Sequence, residues 1–256
     1  MMFLRRVFPL LILIVVLDIF FLYSFGKVYF TEFQVLSLDL QKLNVLLQSG
    51  LGEMVSANDA SNVALDVAAF DAIVRSIYFN IARVLGFLFL FWTAFQGSVW
   101  YFCHRIVGKA RALPDFFWRF ALVSIVAFLI FLLILSGAML LAFKSASDPL
   151  PLIGRTGISL LAAIAMLILY YFVMVAYSVL CHGAFWKRFT HASIYHMAKN
   201  GISYVGMLLS LGVCYIIASW LAKSDYILVA MSFVLFVLLP VVAFWRVYFV
   251  SSINVE

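Results

Sequence analysis

Apolar residues fill six long runs along this chain, at about 7–25, 77–102, 120–143, 157–181, 203–222 and 226–249, and polar residues gather between them. A hydrocarbon core about 30 Å thick is crossed by about 20 apolar residues in helical form, so each run predicts one membrane-spanning helix. The runs lack the two-residue alternation of an outer-membrane barrel strand, and an open strand in lipid leaves its backbone groups unsatisfied. The expected fold is therefore an all-α membrane protein, six transmembrane helices in one bundle, with residues 1–256 forming a single polytopic domain.

The first run, Val7 to Gly26, carries one carboxylic acid, Asp18, and a proline, Pro9, placed by this reading in its first turn. It exceeds the 7–15 residues of a signal-peptide core and ends in Tyr23-Ser24-Phe25-Gly26 instead of a small-residue cleavage site, so it is expected to be an uncleaved first span. Beyond Gly26 the helical period persists. Leu36, Leu40, Leu43 and Leu47 recur among Asp39, Gln41, Lys42, Asn44 and Gln48, predicting an amphipathic helix that stops at Ser49-Gly50. Asn58, Asp59, Ser61 and Asn62 supply turn chemistry, and a second stripe at Val63, Val67, Phe70, Val74, Ile77 and Ile81 leads into span 2. Residues 27–75 are thus expected to form an extracytoplasmic helical hairpin between spans 1 and 2, standing off the membrane or lying along its outer surface.

Later segments are punctuated more sharply. Trp100-Tyr101 closes span 2 as a membrane-interface pair, and Pro114-Asp115 opens span 3. Tyr170, Tyr171 and Tyr177 place hydroxyls at depth, which turns one face of span 4 toward protein. The basic segment from His182 is expected to continue span 4 as a cytoplasmic helix ending at Asn200-Gly201. Span 5 carries Gly206, Ser210, Cys214, Ala218 and Ala222 at four-residue spacing, a face on which another helix can approach closely. In span 6, Pro240 removes the donor that would bond the Phe236 carbonyl and predicts a kink.

Composition agrees with this pattern: 67% of residues are apolar and 11% charged, against about 45–50% and 25% in soluble domains, and mean hydropathy is +1.15. With the N-terminus cytoplasmic, the inner side collects Arg5, Arg6, Arg105, Lys109, Arg111, Arg119, Lys187, Arg188, Lys199 and Arg246, ten of the 17 Lys and Arg. Both termini are then expected on the cytoplasmic side of the cell membrane. The net charge of +6 reads as topology and contact with anionic headgroups, and no nucleic-acid-binding motif accompanies it. Cys103, Cys181 and Cys214 show no disulfide framework.

Among groups able to do chemistry, Asp18 and Arg83 stand out. Each lies about seven residues from the outer end of its span, so antiparallel helices would place both about 10 Å deep, where an ion pair is the expected remedy for buried charge. Asn80, Thr93 and Gln96 would extend a polar track along span 2. Cys103-His104 and Cys181-His182 have zinc-ligand types, but adjacent helix positions diverge by about 100° and no chelating spacing is present, so no metal or other cofactor is assigned. No nucleophile elbow, H-E-x-x-H, phosphate loop or paired intramembrane acids argue for an enzyme. The leading reading is a non-enzymatic scaffold or accessory subunit in the bilayer, partnered by a second copy or another membrane protein. The alternative is a small-solute or ion transporter using Asp18 and Arg83.

Overall fold

The computed structural model describes residues 2–56, 67–147, 155–223 and 227–253. These residues are helical with short turns and contain no strand. Six helices among them are long and apolar enough to cross a membrane: Val7–Leu46, Phe70–Ile106, Leu113–Ser145, Thr156–Ser178, Met197–Lys223 and Leu228–Ile253.

In order, the elements are α1 (Met2–Ser56), α2 (Val67–Phe91), a π-turn (Trp92–Gln96), α3 (Gly97–Ile106), α4 (Leu113–Ser147), α5 (Arg155–Ser178), α6 (Phe185–Thr190), a second π-turn (His191–Tyr195), α7 (Met197–Lys223), α8 (Ile227–Phe233), a third π-turn (Val234–Leu238) and α9 (Leu239–Ile253). They divide into two compact units, one made of the residues up to Ile19 and from Phe95 onward, the other of Phe20–Ala94.

In the first unit α4 and α5 are neighbours, α7, α8 and α9 pack together, and α9 also meets α3 and α5. Its aromatic core forms where α3, α4 and α5 meet. Trp100, Phe116, Phe120 and Tyr177 are buried there, with Phe120 stacked on Tyr177 at 4.5 Å between ring centroids. Tyr177 shares a 2.8 Å hydrogen bond with Ser124, and Tyr204 donates to the Leu167 carbonyl at 2.7 Å. Gly97 brings α3 close to α4, since a Cβ there would lie 2.9 Å from Phe117 Cε1.

In the second unit α1 and α2 run antiparallel and meet through long side chains. Glu32 meets Arg83, and seven residues further along α1, Asp39 meets Ser76, seven residues back along α2. The turn signals at Asn58, Asp59, Ser61 and Asn62, and Val63 of the second stripe, lie outside the described residues.

Several local expectations are corrected. α1 runs through Ser49-Gly50 to Ser56 and begins at Met2, so Pro9 sits inside the helix; its missing N–H leaves the Arg5 carbonyl without an intrahelical donor. Asn200-Gly201 does not end a helix. The chain turns after Ser178, α7 starts at Met197, and buried Asn200 donates Nδ2 to the Ala192 carbonyl at 2.8 Å, bracing the corner. Around Pro240 the chain answers the lost donor with the π-turn Val234–Leu238, where the Leu239 N–H reaches the Val234 carbonyl five residues back.

Candidate functional site

Ile14, Asp18 and Phe21 are buried in the first half of α1, spaced four and three residues apart and therefore on one face. Asp18 is only 3% exposed. Its Oδ2 accepts from Arg246 Nη1 at 2.5 Å and its Oδ1 accepts from Gln96 Nε2 at 2.9 Å. Arg246 Nη2 donates to Gln96 Oε1 at 3.0 Å, so the three side chains close a ring of hydrogen bonds. Two opposite charges and one amide that both donates and accepts leave neither carboxylate oxygen unpartnered.

Three stretches distant in sequence make this clasp. Gln96 ends the π-turn Trp92–Gln96, and the extra residue in that turn alters which side chains face inward. Arg246 lies on α9, six residues after Pro240. Cys103 and Tyr170 lie within electrostatic reach of both charges.

Asp18 and Arg83 are not partners. Arg83 donates Nε and Nη2 to Glu32 Oε2, at 3.1 and 2.5 Å. Glu32 lies fourteen residues beyond Asp18 on α1, about 21 Å at ~1.5 Å per residue. The expected register took Asp18 and Arg83 to lie at equal depth because each stands about seven residues from the outer end of its span. The pairing of Glu32 with Arg83 and of Asp39 with Ser76 sets a register about four turns away from that one.

The polar track also resolves into separate sites. Asn80 donates to Asp39 Oδ2 at 2.9 Å, joined there by Ser76 at 2.7 Å, while Lys42 meets Oδ1 at 3.2 Å. Gln96 belongs to the clasp, and Thr93 Oγ1 is buried without a hydrogen-bond partner among the described residues. Arg246, expected among the inner basic residues, has a side chain that is 14% exposed and paired with Asp18. The signal for it was present, since Arg246 stands between Phe244-Trp245 and Val247-Tyr248-Phe249 inside an apolar run.

The small-residue face of span 5 packs within the chain at its upper half. Trp245 of α9 donates Nε1 to Ser210 Oγ at 2.8 Å, and its ring lies 3.4 Å from where a Gly206 Cβ would stand. Cys214 is buried, Ala218 half-buried and Ala222 exposed. His104 Nε2 donates to the Tyr177 carbonyl at 2.9 Å, leaving Nδ1 buried without a hydrogen-bond partner among the described residues. The Cys181 and His182 carbonyls accept from Arg111 Nε and Arg119 Nη1, at 2.8 and 2.9 Å, which stitches the turn after α5 to the start of α4.

No protein-family model, curated protein or solved structure matches this chain. Chemically, a closed neutral triad of this kind ties three helix segments together, because separating any member strands a charge or an amide in a medium that cannot solvate it.

Proposed function

We propose that this multi-pass protein is a non-enzymatic scaffold or accessory subunit of a membrane assembly, with both termini cytoplasmic and the α1–α2 pair as its extracytoplasmic docking element. The observation that carries this reading is the reversed polarity of that pair. Glu32, Asp39, Asn80 and Arg83 are spent on contacts between the two helices, while Phe30 is 65% and Tyr78 70% exposed, beside exposed Tyr29, Phe33 and Phe79.

Length turns this polarity into an argument for a partner. The exposed apolar positions of α1 run from Phe8 to Val45, about 56 Å at ~1.5 Å per residue. A bilayer core covers about 30 Å of that. Even a tilt of about 40°, the upper end for membrane helices, leaves about 43 Å to cover. Apolar surface beyond the lipid is stable when another protein covers it.

The transporter alternative has less support, because Asp18 and Arg246 are saturated by each other and by Gln96. Photocrosslinking in native membranes separates the readings. A benzophenone side chain at position 30 or 78 is expected to yield discrete protein adducts. Adducts to lipid alone, together with solute flux in proteoliposomes that disappears in Asp18→Asn, would replace the scaffold with a transporter.

A further inference from the structure

Between α4 and α5 lies an open groove of about 970 Å³, running from Arg119 at one end to Ile134 and Ala165 at the other. Its walls are apolar, with Leu122, Val126, Ile130, Leu169 and Phe172 along its length. The charged side chains that line it, Arg119 and Lys187, both belong to the Arg119 end. The fifteen helical steps from Arg119 to Ile134 cover about 22 Å, more than one leaflet's share of a core about 30 Å thick. One acyl chain fits along it.

The mouth is cationic. The acid beside it, Asp115, is already held by Arg111 at 2.7 Å and by Arg119 Nε at 3.5 Å. Arg119 gives Nη1 to the His182 carbonyl, which leaves Nη2 without a partner among the described residues. Lys187 is exposed, and the neighbouring Trp186, 73% exposed, stands beside it as aromatic belt residues do at headgroup level. An apolar helix seated in the groove would cover these two cations with nothing to neutralise them. A lipid phosphate neutralises them while its chain fills the groove.

From this charge pattern we infer that the α4–α5 groove is a binding site for one anionic phospholipid, its phosphate held by Arg119 and Lys187 and one acyl chain laid along the seam. The test uses the full chain in phosphatidylcholine nanodiscs containing a minority of phosphatidylglycerol or phosphatidylcholine brominated near the headgroup. The Trp186 signal is isolated by subtracting the Trp186→Phe variant. Brominated phosphatidylglycerol is expected to quench Trp186 at a lower mole fraction than brominated phosphatidylcholine, and Lys187→Gln, at an exposed position, to reduce that preference about fivefold. Ala165→Phe, which fills the far end, is expected to weaken quenching without unfolding the protein. Equal quenching by the two lipids, or an unchanged preference in Lys187→Gln, would overturn the site. Absence of quenching by either lipid with a dimer mass by native mass spectrometry would assign the groove to a second copy instead.

Discussion

Asp18 and Arg246, 228 residues apart in the chain, meet at 2.5 Å in a site where the carboxylate side chain is 4% and the guanidinium side chain 14% exposed. Gln96 bonds both. The pair thereby fastens the start of the chain to its end.

Removing one charge leaves the other buried and unpaired, so Asp18→Asn or Arg246→Gln is expected to lower stability by about 3–5 kcal/mol. Asp18→Leu combined with Arg246→Met is expected to recover most of that loss, because no charge then remains to be desolvated. Thermal unfolding of the single and double variants in one detergent measures this. A double variant as unstable as the worse single would show that the ring does more than neutralise charge.

The α1–α2 register makes a separate prediction. Glu32→Arg and Arg83→Glu are each expected to destabilise the two-helix pair by about 1 kcal/mol, the scale of a partly exposed ion pair, and the double swap to restore it. Protease sensitivity of α1 reports the outcome. Rescue of Arg83→Glu by Asp18→Arg instead would return the register to the one expected from span lengths.

Close helix approach is concentrated at two glycines. Gly97→Val drives a side chain into Phe117, and Gly206→Val drives one toward Trp245; each is expected to cost about 1–3 kcal/mol. Ala222→Val, at an exposed position of the same span 5 stripe, is expected to change stability by less than about 0.5 kcal/mol. Equal losses at Gly206 and Ala222 would mean that the whole stripe is buried in an oligomer.

Thiol accessibility follows from burial. Cys103 and Cys214 are buried and Cys181 is half-buried, so a maleimide applied to the native protein is expected to modify Cys181 alone. After denaturation in dodecyl sulfate all three thiols should react. Mass spectrometry counts the adducts, and native labelling of Cys103 would contradict the packing of α3.

Local sequence pattern was sufficient for the helices themselves. Six apolar runs without interior strand signals have one way to satisfy their backbones in lipid, and each corresponds to a long apolar helix in the structure. The need of the Tyr177 hydroxyl for a partner was also legible, and Ser124 meets it at 2.8 Å, because a buried hydroxyl announces a need wherever it falls.

The partners that meet those needs were decided by tertiary structure. Asp18 required a cation, and the sequence offered more than one; choosing Arg246 over Arg83 depended on which distant segments pack around Asp18 and on the π-turn that presents Gln96. Side-chain period within one helix is a local property fixed by 3.6 residues per turn. Register between helices is a sum over distant contacts, and a shift of four turns changes no local pattern while exchanging every partner.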